Sequence, residues 1–406
     1  MGKPTFSMAA SSTMPRMPSP FTTLVLCILA LVSTTLLSPA AAAESMTLSD
    51  EALNNIPSPG DDFDIHKGKL LAPILIPRVP GTEGQLRTQK HFVDFFSENL
   101  PEWTLEWQNS TSKTPVTGSK DVPFANLIFR RDPPWAQKGD VSRLTLAAHY
   151  DSKYEPEGFI GATDSAAPCA MLMHLARSIE AGLKAKWETM QKNGEDGLDD
   201  VQGIQILFLD GEEAFHEWTN DDSLYGSRSL AEQWEFQFHG SASTYRTPLD
   251  SISLFVLLDL LGEKNPRVPS YFLTTHWAYR AMAALEKRMR ELNLLETKPK
   301  RAFLPEVDKN ANRFSRGYID DDHRPFMQRG VEILHIIPTP FPTMWHKMDD
   351  DGEHLDLPTV RDWARITTAF VVEWMGIQDF MPGVTGTKAK RSGAAATTTT
   401  SRRTEL

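Results

Sequence analysis

The chain has 406 residues, with 53 acidic side chains against 42 basic ones and a formal net charge of −11. It contains no basic patch with interleaved aromatic residues, which argues against nucleic acid as a partner. Of its 2 cysteines, Cys27 lies in an apolar stretch near the start, so Cys169 stands alone in the body of the chain and we expect no intrachain disulfide.

The first segment has the three parts of a secretory signal peptide. Lys3 and Arg16 precede an apolar run over residues 21–37, and small residues follow it. This run is slightly shorter than a membrane span of about 20 residues. We therefore expect residues 1–43 to be a signal peptide, with a retained signal anchor as the alternative. The sequence predicts no membrane span after signal removal, and hence a protein that is secreted or retained in the Golgi or endoplasmic reticulum.

The remaining chain is predicted to form one domain. Residues 44–380 fit one large α/β domain, and a two-domain split is less expected because no linker interrupts them. Residues 381–406 contain a Gly-Ala-Thr run and a Lys/Arg cluster and are predicted to be a disordered tail. A monomer is the default expectation. Asn109-Ser110-Thr111 is the only glycosylation sequon of the mature chain and fits a surface site in the secretory pathway.

Apolar runs and amphipathic stretches alternate along the domain. The predicted strands are 103–107, 124–129, 143–149, 204–209, 252–258 and 333–337. The predicted helices are 82–96, 166–181, 223–234, 278–295 and 359–377. Residues 44–66 are expected to form a loose arm, residues 109–121 a polar loop, and residues 184–202 a surface loop with some helix. This alternation predicts an α/β fold of three layers, with a central, mostly parallel mixed sheet and helices on both faces.

Three acids follow directly after the most apolar strand. Residues 204–209 read as a strand buried on both faces, and Asp210, Glu212 and Glu213 come next. Carboxylates at the end of a buried strand repel one another and lose water, which is costly unless a cation or a shared proton compensates. A solvated loop of acids is the simpler interpretation, but the preceding strand is too apolar for a surface edge. Because ligands of open α/β sheets bind at the carboxyl ends of strands, we expect a metal here.

Further imidazole and carboxylate groups recur where other strands end. His149 and Asp259 each close an apolar strand, Asp164 precedes a helix, and His346 follows the last strand. Singly, each has an ordinary explanation: a buried histidine is usually a hydrogen-bonded core residue, and an aspartate before a helix is usually its cap. Together, at the ends of adjacent strands, they form a nitrogen and oxygen ligand set that suits zinc.

The order of these residues resembles that of the M28 family of zinc aminopeptidases. Longer patterns are more specific and resemble the glutaminyl-peptide cyclotransferases of the animal and fungal kind; they are HYDSKY at 149–154, GATDSA at 161–166, DGEEAF at 210–215, DSLYGSR at 222–228, LLDLLG at 257–262, DDHRPF at 321–326 and PFPTMWHKMDD at 340–350. The resemblance spans roughly residues 68–378, which is nearly the whole domain.

The resemblance implies a role for individual residues. It makes Asp164, Glu213 and His346 the ligands of a single zinc and Glu212 the general acid and base. The other matched positions are Asp259 and Asp321, in a hydrogen-bond network with the base, and Trp218, Phe341 and Trp345, lining the substrate pocket. His149 and Asp259 also stand where two-zinc aminopeptidases hold their second metal.

Two positions depart from the pattern of the resembling proteins. Animal cyclotransferases carry a cysteine just before HYDSKY that pairs with the one at position 169, whereas this chain has Ala148. Asp320 stands where a glutamine is frequent, which adds charge beside Asp321. The first departure removes a disulfide, and the second bears on the detail of the pocket.

These residues are compatible with three functions. The resemblance implies zinc-dependent cyclisation of N-terminal glutamine to pyroglutamate with loss of ammonia, while acceptance of N-terminal glutamate stays open. The alternative is an M28-type aminopeptidase, in which water bound to zinc attacks the first peptide bond and two zincs are held. A non-catalytic binding module of the same fold is disfavoured, because neither Glu212 nor any zinc ligand is missing.

Overall fold

The structure is a computed structural model that describes residues 48–197, 201–314 and 317–384. The expected signal segment, residues 1–43, and residues 385–406 of the expected tail lie outside the described residues. Met381, which the sequence assigned to the tail, is buried at 3% exposure. In the described ranges, no helix combines the length and the apolar character that crossing a membrane requires.

Six strands form one mixed sheet, in the order β1-β2-β4-β3-β5-β6. The strands are β1 (Thr104–Lys113), β2 (Asp121–Arg131), β3 (Ser142–His149), β4 (Gln202–Leu209), β5 (Ile252–Leu258) and β6 (Ile333–Ile336). β2 pairs antiparallel with both of its neighbours, β1 and β4. The remaining neighbours, β4, β3, β5 and β6, all run parallel to one another. The predicted three-layer α/β class with a mostly parallel mixed sheet is confirmed.

Helices cover both faces of this sheet. They are α1 (Asp50–Asn54), α2 (Glu83–Asn99), α3 (Ala167–Asn193), α4 (Tyr225–Phe236), α5 (His276–Glu291), α6 (Arg324–Met327) and α7 (Leu357–Trp374). Phe92 of α2, Leu172 of α3 and Trp363 of α7 belong to one apolar cluster, together with residues from one face of the sheet. Trp234 of α4 and Phe326 of α6 form a second cluster with residues from the opposite face. Burial of apolar surface on both sides is the main source of the sheet's stability.

Three segments differ from the sequence-based expectation. Residues 109–121 were expected to be a loop, but β1 continues to Lys113 and β2 begins at Asp121. The segment reads as polar because alternate residues of this edge strand are exposed. Residues 184–202 were expected to be mostly loop, yet α3 runs on to Asn193, since Trp187 is buried beneath the polar side chains. The arm at 44–66 is also ordered where it is described: it contains α1 and buries Phe63.

The parallel registers determine where the strands end. His149 of β3 lies beside Leu209 of β4, and Leu258 of β5 lies beside Ile336 of β6. The carboxyl ends of these four strands therefore meet at one edge of the sheet, and the segments that follow them lie close to one another.

Candidate metal centre and active site

The turn after β4 presents two adjacent glutamates at this edge. Gly211 has φ +68°, and a Cβ built there would lie 2.4 Å from the Phe124 ring, so the turn requires glycine. The backbone N–H groups of Glu212 and Glu213 donate to the two carboxylate oxygens of Asp151, each at 3.1 Å. One aspartate after β3 thus fixes the backbone of both glutamates after β4. Nothing in the sequence alone points to this role of Asp151.

The segment that carries Asp164 is held from two sides. Upstream, the guanidinium group of Arg78 donates to the carbonyl oxygens of Ile160 at 2.7 Å and Gly161 at 3.2 Å. Asp350 accepts from the N–H of Thr163 at 2.7 Å and from its hydroxyl at 3.0 Å. Burial and the charge of Asp164 raise the pKa of Asp350 to about 7. These contacts position Asp164 without using its own side chain.

The first ligand group consists of Asp164, Glu213 and His346. One potential ligand atom from each residue lies within 4.8 Å of those from the other two. His346 Nε2 is 3.6 Å from Asp164 Oδ2 and 3.7 Å from Glu213 Oε2. Asp164 Oδ2 and Glu213 Oε1 are buried and have no hydrogen-bond partner among the described residues. Burial lowers the pKa of His346 to about 4, which keeps its ring neutral, the form that binds metals. Unpaired buried oxygens beside a neutral imidazole fit a divalent cation well.

A second group shares Asp164 with the first. His149, Asp164 and Asp259 also offer ligand atoms within 4.8 Å of one another. Here, however, each residue has partners: His149 Nε2 lies 3.0 Å from Asp164 Oδ1 and its Nδ1 3.2 Å from Asp151 Oδ1. Asp259 Oδ1 accepts from the Ser165 hydroxyl and from the Leu260 N–H. The protein's own hydrogen bonds therefore already engage both ring nitrogens of His149 and one carboxylate oxygen each of Asp164 and Asp259.

Glu212 lies in a strongly acidic, buried environment. Its side chain is 6% exposed. Burial raises its pKa well above the ordinary value, and the charges of Glu213 and Asp321 raise it further, while His149 opposes them. A carboxyl group with a raised pKa can exchange a proton near neutral pH, which is the requirement for a general acid and base.

Asp321 faces a histidine that the sequence analysis missed. Asp321 Oδ2 lies 2.7 Å from His335 Nε2, and its Oδ1 accepts from the Asp322 N–H at 2.6 Å. His335 belongs to β6, whose other three residues are apolar and buried, so in the sequence it looks like an ordinary residue of a buried strand. With His323, these two residues form a third group of potential ligands, but Asp321 and His335 already bind each other. Ser165, the partner of Asp259, was missed as well, because only the three-dimensional pairing reveals it.

The three aromatic residues lie on two loops. Trp345 stacks on the ring of His346 at 3.8 Å between centroids and meets Phe341 edge-on at 4.7 Å. Trp218 and Trp345 are each 37% exposed. The loop carrying Trp218 is fastened by Asp222, which accepts from the N–H groups of Phe215, His216 and Glu217 at 2.9 Å each. Trp345 thus contacts the first ligand group through His346, and Phe341 packs against Trp345. Trp218 is exposed on a loop that the hydrogen bonds of Asp222 hold in place.

Both departures noted in the sequence have visible consequences. Cys169 is a free, buried thiol whose Sγ donates to the His149 carbonyl oxygen at 3.2 Å. Asp320 forms an ion pair with Arg324 at 3.0 Å, and Arg324 also donates to Asn220 at 2.6 Å. The added charge of Asp320 is therefore compensated by a contact that links its loop to the loop of Trp218.

Comparison with known proteins identifies relatives of this chain by sequence. The profile of peptidase family M28 matches residues 133–371. A glutaminyl-peptide cyclotransferase-like protein of Bos taurus is 40% identical over 312 residues, which cover 76% of this chain and 74% of the relative. The glutaminyl-peptide cyclotransferase of Bothrops jararaca is 38% identical over 314 residues, covering 76% of this chain and 80% of the relative.

Solved structures share the fold. The glutaminyl cyclase of Macrostomum lignano superposes with a TM-score of 0.61 at 28% identity, covering 82% of this chain and 95% of that chain. A Zn-dependent exopeptidase of Parabacteroides distasonis superposes with a TM-score of 0.52 at 19% identity, covering 77% of this chain and 98% of that chain. At that identity the exopeptidase shows the likeness of fold alone.

Proposed function

The chain belongs to peptidase family M28 and, within it, to the glutaminyl-peptide cyclotransferases, and on this premise we propose the roles of its residues in the reaction. The protein converts the N-terminal glutamine of peptides and proteins to pyroglutamate with release of ammonia. The observation that carries the assignment of roles is the position of the buried Glu212 beside three convergent ligands, of which Asp164 and Glu213 each have an unpaired carboxylate oxygen.

Asp164, Glu213 and His346 would hold one zinc ion. Two carboxylates and one neutral imidazole are a zinc-type donor set, and three protein ligands leave a position open for substrate. When bound, the ion supplies Lewis-acid polarisation of a carbonyl oxygen. The hydrogen bonds that satisfy His149 and Asp259 favour a single ion over two.

Glu212 moves the proton. The α-amine of the N-terminal glutamine attacks the carbon of its own side-chain amide, and Glu212 accepts a proton from that amine. The new C–N bond closes a five-membered ring, the bond to the amide nitrogen breaks, and Glu212 returns the proton to the departing ammonia. No water is consumed. The negative charge of Asp321 supports the proton affinity of Glu212, and His335 orients Asp321 through its 2.7 Å contact.

The aromatic side chains would orient the substrate. Trp345 and Phe341 form a wall beside His346, and an apolar wall excludes water and favours the folded conformation in which amine and amide meet. We assign Trp218, on its braced loop, to the outer part of this pocket. The leader pattern of residues 1–43 supports action on peptides in the secretory pathway.

The reaction is tested with matched peptides. A peptide that begins with glutamine should release ammonia and gain a blocked N-terminus, whereas the same peptide beginning with leucine should stay intact. Bound zinc should be close to one ion per chain. Release of free leucine together with two zinc ions per chain would instead identify an aminopeptidase and refute the proposal.

The roles of the adjacent glutamates are separated by two matched variants. Glu212→Gln should keep the zinc content and lower turnover about 10²–10⁴-fold, since the amide cannot accept the proton. Glu213→Gln should weaken zinc binding, because a neutral amide oxygen is a poorer ligand. If Glu212→Gln lost the metal while Glu213→Gln kept it and lost only rate, the two roles would have to be exchanged.

A further inference from the structure

An exposed tryptophan lies on the open edge of the sheet. β1 stands first in the strand order, and its only strand partner in the described chain is β2. Trp107, in the middle of β1, is 41% exposed. Throughout the described residues, no aromatic ring or cationic side chain is found stacked on it. An indole left in water at this position has no explanation in the fold or in the proposed active site.

The same edge lacks the usual protection against pairing with another strand. Every other residue of β1 turns its backbone N–H and C=O away from β2. Natural edges are protected by charges, prolines or bulges, but Trp107 to Ser112 carry no charge. The charge of Glu106 is paired with Arg130, and Lys113 is the last residue of β1. The opposite edge, β6, is only 4 residues long and buried.

The sequon lies in the middle of this uncharged stretch. Because side chains alternate along a strand, Trp107, Asn109 and Thr111 share one face. All three are exposed. Neighbours on one face are about 7 Å apart, which places the indole beside the amide of Asn109 and the hydroxyl of Thr111 on its other side. The acceptor amide, its required hydroxyl and an unpartnered aromatic ring therefore form one accessible row.

We propose that Asn109 carries an N-linked glycan whose first sugar packs on the indole of Trp107 and covers the open edge of β1. In the modification, the amide nitrogen of Asn109 bonds to the anomeric carbon of an oligosaccharide. The bond from that carbon to the lipid diphosphate donor breaks, and the amide nitrogen loses one proton. One face of a pyranose ring presents C–H groups, and this apolar face suits an exposed aromatic surface. The glycan also adds a bulky, solvated group where another strand would otherwise pair.

The modification is tested in the full chain produced through the secretory pathway of eukaryotic cells. Intact mass before and after treatment with peptide N-glycosidase should show one glycan. Thr111→Val keeps the side-chain shape but destroys the sequon and should abolish the mass difference, whereas Thr111→Ser should retain it. A secreted wild-type chain whose mass is that of its polypeptide alone, with no added sugar, would overturn the proposal, and the result does not depend on any enzymatic activity.

The contact with Trp107 is tested by a double-mutant cycle. Loss of the glycan through Thr111→Val should lower Tm by about 1–3 °C when Trp107 is present, and by much less in the Trp107→Ala background. The glycan-free chain should also self-associate at high concentration, and Trp107→Lys should reverse this by placing a charge on the edge. Equal Tm losses in both backgrounds would show that the glycan does not pack on Trp107. A glycan-free chain that stays monomeric would show that the glycan does not protect the edge.

Discussion

Arg78 is a fully buried cation beside the proposed metal site. Within the described ranges its guanidinium contacts backbone carbonyl oxygens and forms no ion pair with a carboxylate. Its guanidinium donates to the carbonyl oxygens of Ile74, Ile76, Tyr150, Asp151, Ile160 and Gly161 at 2.6–3.3 Å. Its backbone N–H donates to the Ser152 hydroxyl at 2.8 Å. These acceptors belong to the segments on either side of Asp151 and just before Asp164. We therefore expect Arg78→Met to loosen both segments at once.

The magnitude follows from the number of acceptors. A buried carbonyl without a donor costs about 1–3 kcal/mol, so six would cost roughly 6–18 kcal/mol if none relaxed, which is comparable to the whole stability of a typical domain. Removing the guanidinium also removes its own desolvation penalty of several kcal/mol, and some carbonyls will gain water. The net loss should therefore be roughly 3–5 kcal/mol, which corresponds to a Tm lower by roughly 5–10 °C. Arg78→Lys keeps the charge with three donors, so its loss should be smaller.

Thermal unfolding and turnover together test this account. Arg288→Met is the matched control, because Arg288 is exposed and its ion pairs with Asp50 and Glu291 are screened by solvent, so they should contribute little to stability. Arg78→Met should lower both Tm and kcat/KM, since the segments that position Asp151 and Asp164 depend on it. If Arg78→Met unfolded within about 2 °C of the wild type, the six hydrogen bonds could not hold these segments as described.

Three further predictions concern single buried groups. Burial raises the pKa of the Cys169 thiol to about 12, so a thiol reagent at pH 8 should label the native chain far more slowly than the chain in denaturant. Burial raises the pKa of Glu373 to about 7, so the folded state binds more protons than the unfolded state between about pH 4.5 and 7. The free energy of unfolding should therefore fall as pH rises from about 4.5 to 7. Glu373→Gln should then unfold at a higher temperature than the wild type above pH 7, while Glu232→Gln on the exposed face of α4 should not. Burial lowers the pKa of His174 to about 4, so stability should be lost as pH falls from 6.5 towards 4, and His174→Gln should be less sensitive to acid in this range.

The sequence predicted the elements whose pattern is local. The apolar runs that became β3, β4, β5 and β6 are strands in the structure, because strands buried on both faces have few alternatives. The length of β1 was predicted too short, because half of its residues face solvent and its strand character depends on the register with β2. The end of α3 was missed for a related reason: a polar surface hides the single buried Trp187 that keeps the helix against the core.

The residues of the candidate site also fall into those that the sequence reveals and those that only the fold reveals. Acids directly after an apolar strand are visible in the sequence because their electrostatic cost is local, and this led to Glu212 and Glu213. Asp151, Ser165 and His335 act through partners that are 61, 94 and 14 residues away along the chain, respectively. Their side chains are ordinary in sequence, and their roles follow only from the parallel registers that bring the strand ends together.

In the proposed metal site, Asp164 bears most directly on whether one ion or two are held, because it belongs to both groups of potential ligands. Its Oδ1 is engaged by His149, whose other ring nitrogen faces Asp151, while its Oδ2 is unpaired and faces His346. A second ion would have to displace the contact between His149 and Asp164 and compete with the Ser165 hydroxyl for Asp259. Each broken bond to a charged group would cost about 1.5–3 kcal/mol before the ion gained a ligand. These hydrogen bonds, which a count of potential ligands does not reveal, therefore support the proposal that the site holds one ion.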